Sequence, residues 1–284
     1  TMTCLIMPPE RKYDWALKTT SSTYFAIHKR KNGQFCVVLN HALLRGVTSE
    51  MIYWWFRHFQ NIKVTLDDIE GYEGTAVPAY LLWHPSDHFN ATLKGKIGSQ
   101  YEAEAGDTIH IQEAMQYKKY GWKYQVDQKV KIFYCCPDGW AMGKKIPFLG
   151  EVMVLRIHFK DVVENKKVIG VHYHYEVVIG LTADHFLARQ INKKVTAEFG
   201  PEFFEAWHLH NTIEVGVFEN FLPALYAQRE TINALHYSKD MNPDFPSPSA
   251  QQPHDKHLFD KRMQGYKDAQ NPYAYQHYQQ KTFL

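Results

Sequence analysis

Residues 200–222, GPEFFEAWHLHNTIEVGVFENFL, predict a long helix. Pro201 suits a first helical turn, because its missing N–H would have no partner there. Glu202 and Glu205 place negative charge near the positive end of the helix dipole. Apolar side chains recur at the spacing of a buried stripe, at Phe203, Trp207, Ile213, Val217 and Phe221. We therefore expect one face of the helix to be buried, and the helix to end before Pro223 or bend there.

Two polar side chains of this helix, His210 and Glu214, are four residues apart and lie on one face, one turn from each other. A neutral imidazole and a carboxylate so placed can bind one divalent metal ion. The alternative is a hydrogen bond at the helix surface, which is the commoner meaning of this spacing. Two further segments with suitable ligands favour the metal.

The first of these segments is YLLWHPSDHFN, residues 80–90, which gathers two histidines and an aspartate around Pro85. Proline ends a strand and starts a turn or short helix here. Within such a turn, His84, Asp87 and His88 can converge on one point. The alternative is that these polar side chains cap the turn.

The second segment, TIHIQEAM at residues 108–115, alternates like a strand. Ile109, Ile111 and Glu113 share one face. If that face points inward, Glu113 is a buried carboxylate, which costs several kcal/mol unless it is paired or binds a metal. Glu113 is thus a candidate third ligand. The alternatives are that the polar face points inward, or that Glu113 meets a lysine.

Alternation and turn residues predict further elements along the chain. The predicted strands are residues 24–28, 35–39, 129–134, 151–159 and 168–179, with hairpin turns at 31–33 and 164–166. Thr48 is expected to cap a helix through SEMIYWWFRHFQN, and Thr182 a helix within residues 181–199. Residues 137–145 are predicted to be a glycine-containing connection.

Composition excludes some classes of protein. A net charge of +2 without a long basic run argues against nucleic acid as the main partner. No segment approaches the ~18 continuous apolar residues of a membrane span. The first residues lack a basic region followed by an apolar run, and the four cysteines form no CxxC pair. These features predict a cytoplasmic protein with reduced thiols.

Taken together, the segments Tyr80–His88 and His210–Glu214, with Glu113, resemble the diacetylphloroglucinol hydrolase/phloretin hydrolase family. The aromatic run MIYWWFRHF and the histidine of LRIHF add to a resemblance that spans about residues 45–225. It implies an α+β, START-like helix-grip fold, in which a curved antiparallel sheet wraps a long C-terminal helix. It also implies an N-terminal region for dimerisation at residues 1–75 and a catalytic region at 76–237. Composition predicts a Pro/Ser-rich linker and a C-terminal arm at 238–284.

The resemblance also implies a site. The family binds one Zn²⁺ ion through two histidines and two glutamates beneath an aromatic pocket. These ligands correspond to His84, Glu113, His210 and Glu214. His84 is preferred over His88 as the first ligand, and His88 is then a neighbour of the substrate. His158 and Asp87 are implied as catalytic side chains, and Tyr80 as a phenol-binding one.

The implied activity is zinc-dependent hydrolysis of the carbon–carbon bond between an acyl group and a phenolic ring, by a homodimer. Zinc polarises a carbonyl and lowers the pKa of bound water toward ~7. One alternative is a START-like protein that binds a hydrophobic ligand and keeps a structural or vestigial metal site. Another is a zinc enzyme that catalyses decarboxylation or ester hydrolysis on the same scaffold.

Overall fold

A large antiparallel sheet dominates the computed structural model, which describes residues 6–231 and 235–238. The strands in the described ranges are β1 Thr23–Lys29, β2 Phe35–His41, β3 Leu44–Arg45, β4 Lys63–Leu66, β5 Ala76–Pro78, β6 His88–Leu93, β7 Thr108–Ala114, β8 Gln125–Cys136, β9 Gly139–Ile146, β10 Gly150–Glu164, β11 Lys167–Ile179 and β12 His236–Tyr237. The helices there are α1 Ser49–His58, α2 Tyr117–Tyr120, α3 Phe186–Thr196, α4 Pro201–Gly216 and α5 Phe218–Ala227. Short 3-10 turns lie at Thr20–Ser22, Ala79–Trp83, Gly121–Tyr124 and Arg229–Thr231.

The large sheet runs in the order β1-β2-β11-β10-β9-β8-β7-β6. Strand β3 pairs with the N-terminal half of β11, at Gly170 and Val171. A second sheet, β12-β4-β5, contains one parallel pair. The predicted α+β class is confirmed, while the finer START-like description stays a prediction. Strands β1 to β3 come from the predicted N-terminal region, and β2 pairs directly with β11. That part of residues 1–75 and the predicted catalytic region therefore share one sheet.

The two faces of this sheet differ. The inner face carries Val37, Ile157 and Tyr173, which join one apolar core with side chains of α1, α4 and α5. Because successive strand residues point to opposite faces, the outer face carries Val38 and His158. The predicted helix at Thr48 is confirmed, since the Thr48 side chain accepts a hydrogen bond from the Met51 amide.

Three predictions were wrong, one about an element and two about where a predicted helix begins or breaks. Most of the predicted connection at 137–145 belongs to β9, Gly139–Ile146, and only residues 137 and 138 form a turn. The glycines of β9 resemble turn residues, but Gly143 serves close strand packing, since a Cβ there would lie 2.0 Å from the Met153 carbonyl oxygen. The helix predicted within 181–199 begins at Phe186 and is capped by His185 rather than Thr182. Asn32 donates to the carbonyl groups of residues 181, 182 and 183, which holds them as a loop.

The third error concerns the long helix. Helix α4 ends at Gly216, and Pro223 lies inside α5 instead of at a break. At Gly216 the buried side chain of Lys18 packs so closely that a Cβ would lie 2.9 Å from Lys18 Cδ. Lys18 Nζ forms a buried ion pair with Glu219, at 3.0 Å. Lys18 therefore links the junction between α4 and α5 to the segment before β1.

Among the described helices, none combines the length and the apolar character that crossing a membrane requires. Cys36, Cys135 and Cys136 carry free thiols, as predicted. The predicted linker and arm at 238–284 lie outside the described residues, apart from Ser238.

Candidate metal centre

Polar side chains from three separate elements meet on the inner face of the sheet. The segment that leads into β6 brings His84, Asp87 and His88, which is the first residue of β6. Strand β7 brings Glu113, and α4 brings His210 and Glu214. His88 is 0% exposed and His210 2%, and the side chains of Glu113 and Glu214 are each 13% exposed. The prediction that Glu113 shares an inward face with Ile109 is confirmed.

The ligand atoms of His88, Glu113 and His210 lie within 4.8 Å of one another. His88 Nε2 is 3.5 Å from Glu113 Oε2 and 3.7 Å from Glu214 Oε1. His210 Nε2 is 3.9 Å from Glu214 Oε2. The four side chains thus surround one small space with two ring nitrogens and two carboxylates.

The hydrogen bond of His88 determines which ring nitrogen is free. Its Nδ1 lies 3.0 Å from the Tyr80 carbonyl oxygen. A carbonyl oxygen can only accept, so Nδ1 carries the hydrogen and Nε2 keeps a lone pair. Burial and the neighbouring histidines hold the pKa of His88 well below its usual range, so the ring is neutral. Its buried Nε2 has no hydrogen-bond partner among the described residues.

His210 is oriented in the same way by Asp87. Its Nδ1 donates to Asp87 Oδ2 at 2.9 Å, which leaves Nε2 facing Glu214. Burial alone would lower the pKa of His210, but the Asp87 hydrogen bond and the charge of Glu113 raise it to about 9. A metal ion that binds Nε2 must therefore displace a proton. A carboxylate behind a ligating histidine is a recurring feature of metal sites.

His84 has the opposite tautomer. Its Nδ1 accepts hydrogen bonds from the backbone amides of Ser86 at 3.2 Å and Asp87 at 3.0 Å. Burial lowers the pKa of His84 to about 3, so the ring is neutral and its Nε2 carries the hydrogen. That nitrogen lies 3.4 Å from Asp87 Oδ2. Although His84, Asp87 and His210 also form a close group, His84 offers no free lone pair there.

Asp87 anchors the loop. Its carboxylate accepts from the amides of Gln116 at 2.8 Å and Tyr117 at 3.1 Å, in addition to His210. Burial would raise the pKa of Asp87, but the charge of His84 and the hydrogen bond from His210 hold it well below its usual range. Asp87 is therefore an anion whose oxygens already have partners.

Tyr80, predicted to bind the phenol, contacts two of the clustered side chains. Its ring stacks on His88 with centroids 3.9 Å apart, and its hydroxyl donates to Glu113 Oε2. Burial and the nearby Glu113 and Glu214 carboxylates raise the pKa of Tyr80 well above its usual range, so the hydroxyl keeps its proton. Tyr80 thus orients both a histidine and a glutamate of the cluster.

Sequence reasoning missed other side chains around Glu214. Asn211 donates to Glu214 Oε2 at 3.0 Å, and Asn211 Oδ1 in turn lies 3.0 Å from His41 Nε2. Burial and the Glu214 and Glu113 carboxylates raise the pKa of Tyr175 well above its usual range. The Trp207 ring packs edge-on against the Tyr175 ring, with centroids 6.0 Å apart. The alternation of GVHYHYEVVIG places its tyrosines on the face opposite its histidines. This alternation was the sequence signal that could have identified Tyr175.

The structure does not bring His158 to this cluster. Its strand neighbours Ile157 and Phe159 belong to the inner core, so His158 points to the outer face. There it pairs across the strands with His174, their ring centroids being 6.2 Å apart. Burial lowers the pKa of His158, and the charges of Glu176 and Asp138 oppose that shift.

The first half of the chain is similar in sequence to a known protein domain. Residues 10–134 match the sequence model of the DAPG hydrolase PhiG domain. The matched segment includes the loop with His84 and His88 as well as Glu113, while His210 and Glu214 lie beyond it. No curated protein matches the chain. The match over residues 10–134 supports the predicted assignment to the DAPG hydrolase/phloretin hydrolase family.

Proposed function

We propose that this protein is a zinc-dependent hydrolase that cleaves the carbon–carbon bond between an acyl group and a phenolic ring. The main support is the unpartnered lone pair of His88 Nε2, buried beside Glu113 and Glu214. The proposed ligands are His88, Glu113, His210 and Glu214. In this proposal His88 replaces His84, because the lone pair of His84 already accepts two backbone hydrogen bonds.

The charges of the cluster support a divalent ion. Asp87, Glu113 and Glu214 are three carboxylates in a buried region, which is costly unless cations compensate them. Arg11, which is 1% exposed, donates to the carbonyl groups of the same loop. One divalent ion and one guanidinium balance three carboxylates when the imidazoles are neutral. Nitrogen and oxygen ligands of this kind suit zinc.

The bound ion supplies polarisation of a carbonyl and a water of lowered pKa. The protein's own residues hold its ligands in place. Asp87 orients His210, Tyr80 orients Glu113 and stacks on His88, and Asn211 orients Glu214. Such partners behind the ligands fix ring and carboxylate orientation before a substrate arrives.

Hydrolysis of an aryl ketone requires control of the phenol oxygens as well as of the carbonyl. A water oxygen adds to the acyl carbon, the electron pair of the broken bond goes to the ring carbon, and a proton ends on that carbon. Tyr175 is 6% exposed and close to Glu113 and Glu214. Because burial raises the pKa of Tyr175 and keeps its hydroxyl protonated, we assign this hydrogen to a substrate oxygen. This contact replaces the one predicted for His158, which points to the outer face.

Turnover of a panel of phenolic ketones tests the proposed activity. We expect the zinc-loaded protein to release a carboxylic acid and the deacylated phenol from an acylphloroglucinol or from phloretin. Chelation should abolish release, and added zinc should restore it. Phenyl esters in the same panel test the ester-hydrolysis alternative. A protein that binds these ketones equally well without zinc and turns none of them over would be the ligand-binding protein instead.

Tyr175→Phe should lower kcat/KM by about tenfold to a hundredfold, the equivalent of a hydrogen bond of about 1.5–3 kcal/mol to a charged group. Zinc content should not change, because Tyr175 is not a proposed ligand. Tyr24→Phe, on the outer face opposite Asn40, is the matched control. If both substitutions leave kcat/KM unaltered, Tyr175 does not contact the substrate.

A further inference from the structure

We infer that Arg11 is a positioning residue of the metal centre, which fixes the backbone of the loop that presents Asp87 and His88. The inference rests on the proposed function, in that it takes the cluster to bind a divalent ion. It assigns part of the centre to the segment before β1, far in sequence from every proposed ligand.

The contacts of Arg11 are concentrated on this loop. Its Nη2 donates to the His84 carbonyl oxygen at 2.5 Å and lies 3.5 Å from that of His88. Its backbone amide donates to the Pro85 carbonyl oxygen at 2.9 Å. Arg11 thus contacts the carbonyl groups of His84, Pro85 and His88. The side chain of Asp87 is held separately, by the amides of Gln116 and Tyr117.

The burial of Arg11 requires an explanation. It is 1% exposed, and within the described ranges its side chain donates to carbonyl oxygens, not to a carboxylate. A buried charge is costly without compensation. Here the carbonyl oxygens of Pro9, His84 and His88 take up its donors. A guanidinium suits this place because its planar set of donors can reach several carbonyl groups at once.

Charge and geometry make opposite predictions for Arg11. Its positive charge alone repels a cation, so removing it would strengthen metal binding. Its hydrogen bonds hold the ligand loop in place, so removing them would weaken metal binding. We infer that geometry dominates, because the carbonyl groups of His84 and His88 flank the backbone that carries Asp87. A shift of that backbone would move the proposed ligand His88, and it would also move Asp87, which orients the proposed ligand His210.

The test is zinc affinity of the full-length protein, measured by competition with a chelator, together with thermal unfolding with and without zinc. Arg11→Met should weaken zinc binding by about tenfold to a hundredfold, as for other partners behind metal ligands. Arg11→Lys should also weaken it, because a single ammonium cannot hold the same carbonyl groups. The zinc-induced rise in unfolding midpoint should shrink in both variants. A merely structural residue would lower both midpoints and leave their difference unchanged.

Two neighbouring substitutions serve as controls. Lys12→Met removes an exposed ion pair with Glu70, and Tyr13→Phe removes a hydrogen bond from the same segment to the Leu81 carbonyl group. Both should keep wild-type zinc affinity. Equal or tighter zinc binding by Arg11→Met overturns the inference. If Arg11→Met does not fold, unchanged affinity in Arg11→Lys overturns it. A wild-type protein whose midpoint zinc does not shift contradicts the proposed function itself.

Discussion

Glu113→Gln should lose the bound zinc ion and lower turnover on the order of a thousandfold. A neutral amide replaces a carboxylate that lies 3.5 Å from His88 Nε2. A catalytic metal supplies several kcal/mol, and each 1.4 kcal/mol is tenfold in rate. The fold should survive, because the substitution conserves size and an amide oxygen can still accept from Tyr80. Zinc content per chain and kcat on the best ketone of the panel measure both effects.

Glu205→Gln is the matched control, since it makes the same chemical change at an exposed position of α4. It should retain both zinc and activity. A Glu113→Gln protein that binds zinc at one equivalent with wild-type affinity would show that Glu113 is not a ligand. Loss of activity with zinc retained would instead give Glu113 a role at the substrate.

The pair His88→Asn and His84→Asn should separate the two candidate histidines. His88→Asn removes a proposed ligand and should reduce zinc content and turnover as severely as Glu113→Gln does. His84→Asn should keep zinc at one equivalent, with at most about a tenfold to hundredfold loss of affinity, because His84 contacts Asp87 behind the ligands. Zinc titration of both variants measures the difference. The reverse pattern would restore His84 as the ligand.

The parts of this site that depend on residues close together in the sequence could be predicted, and the parts that depend on distant segments could not. Helical spacing sufficed to place His210 and Glu214 together, and strand alternation placed Glu113 with Ile109. The choice between His84 and His88 depends on which ring nitrogen meets a backbone amide and which meets a carbonyl group. Those contacts arise from the 3-10 turn at Ala79–Trp83 and the loop after it, which local patterns do not specify.

Sequence alone could not determine whether the side chain of His158 points to the inner or the outer face of the sheet. Alternation separates the two faces of β10, but only packing against α1, α4 and α5 determines which face is inner. The contribution of Arg11 has no local signal at all, because its partners lie 73 and 77 residues away in the chain. The expectations of a homodimer and of a cytoplasmic location stay predictions.

The most direct test of the central claim is a crystal of the zinc-loaded protein, measured on both sides of the zinc absorption edge. We predict one anomalous peak, bounded by His88 Nε2, Glu113, His210 Nε2 and Glu214. A peak between His84 and Asp87, or none in this cluster at saturating zinc, would contradict the proposed metal centre.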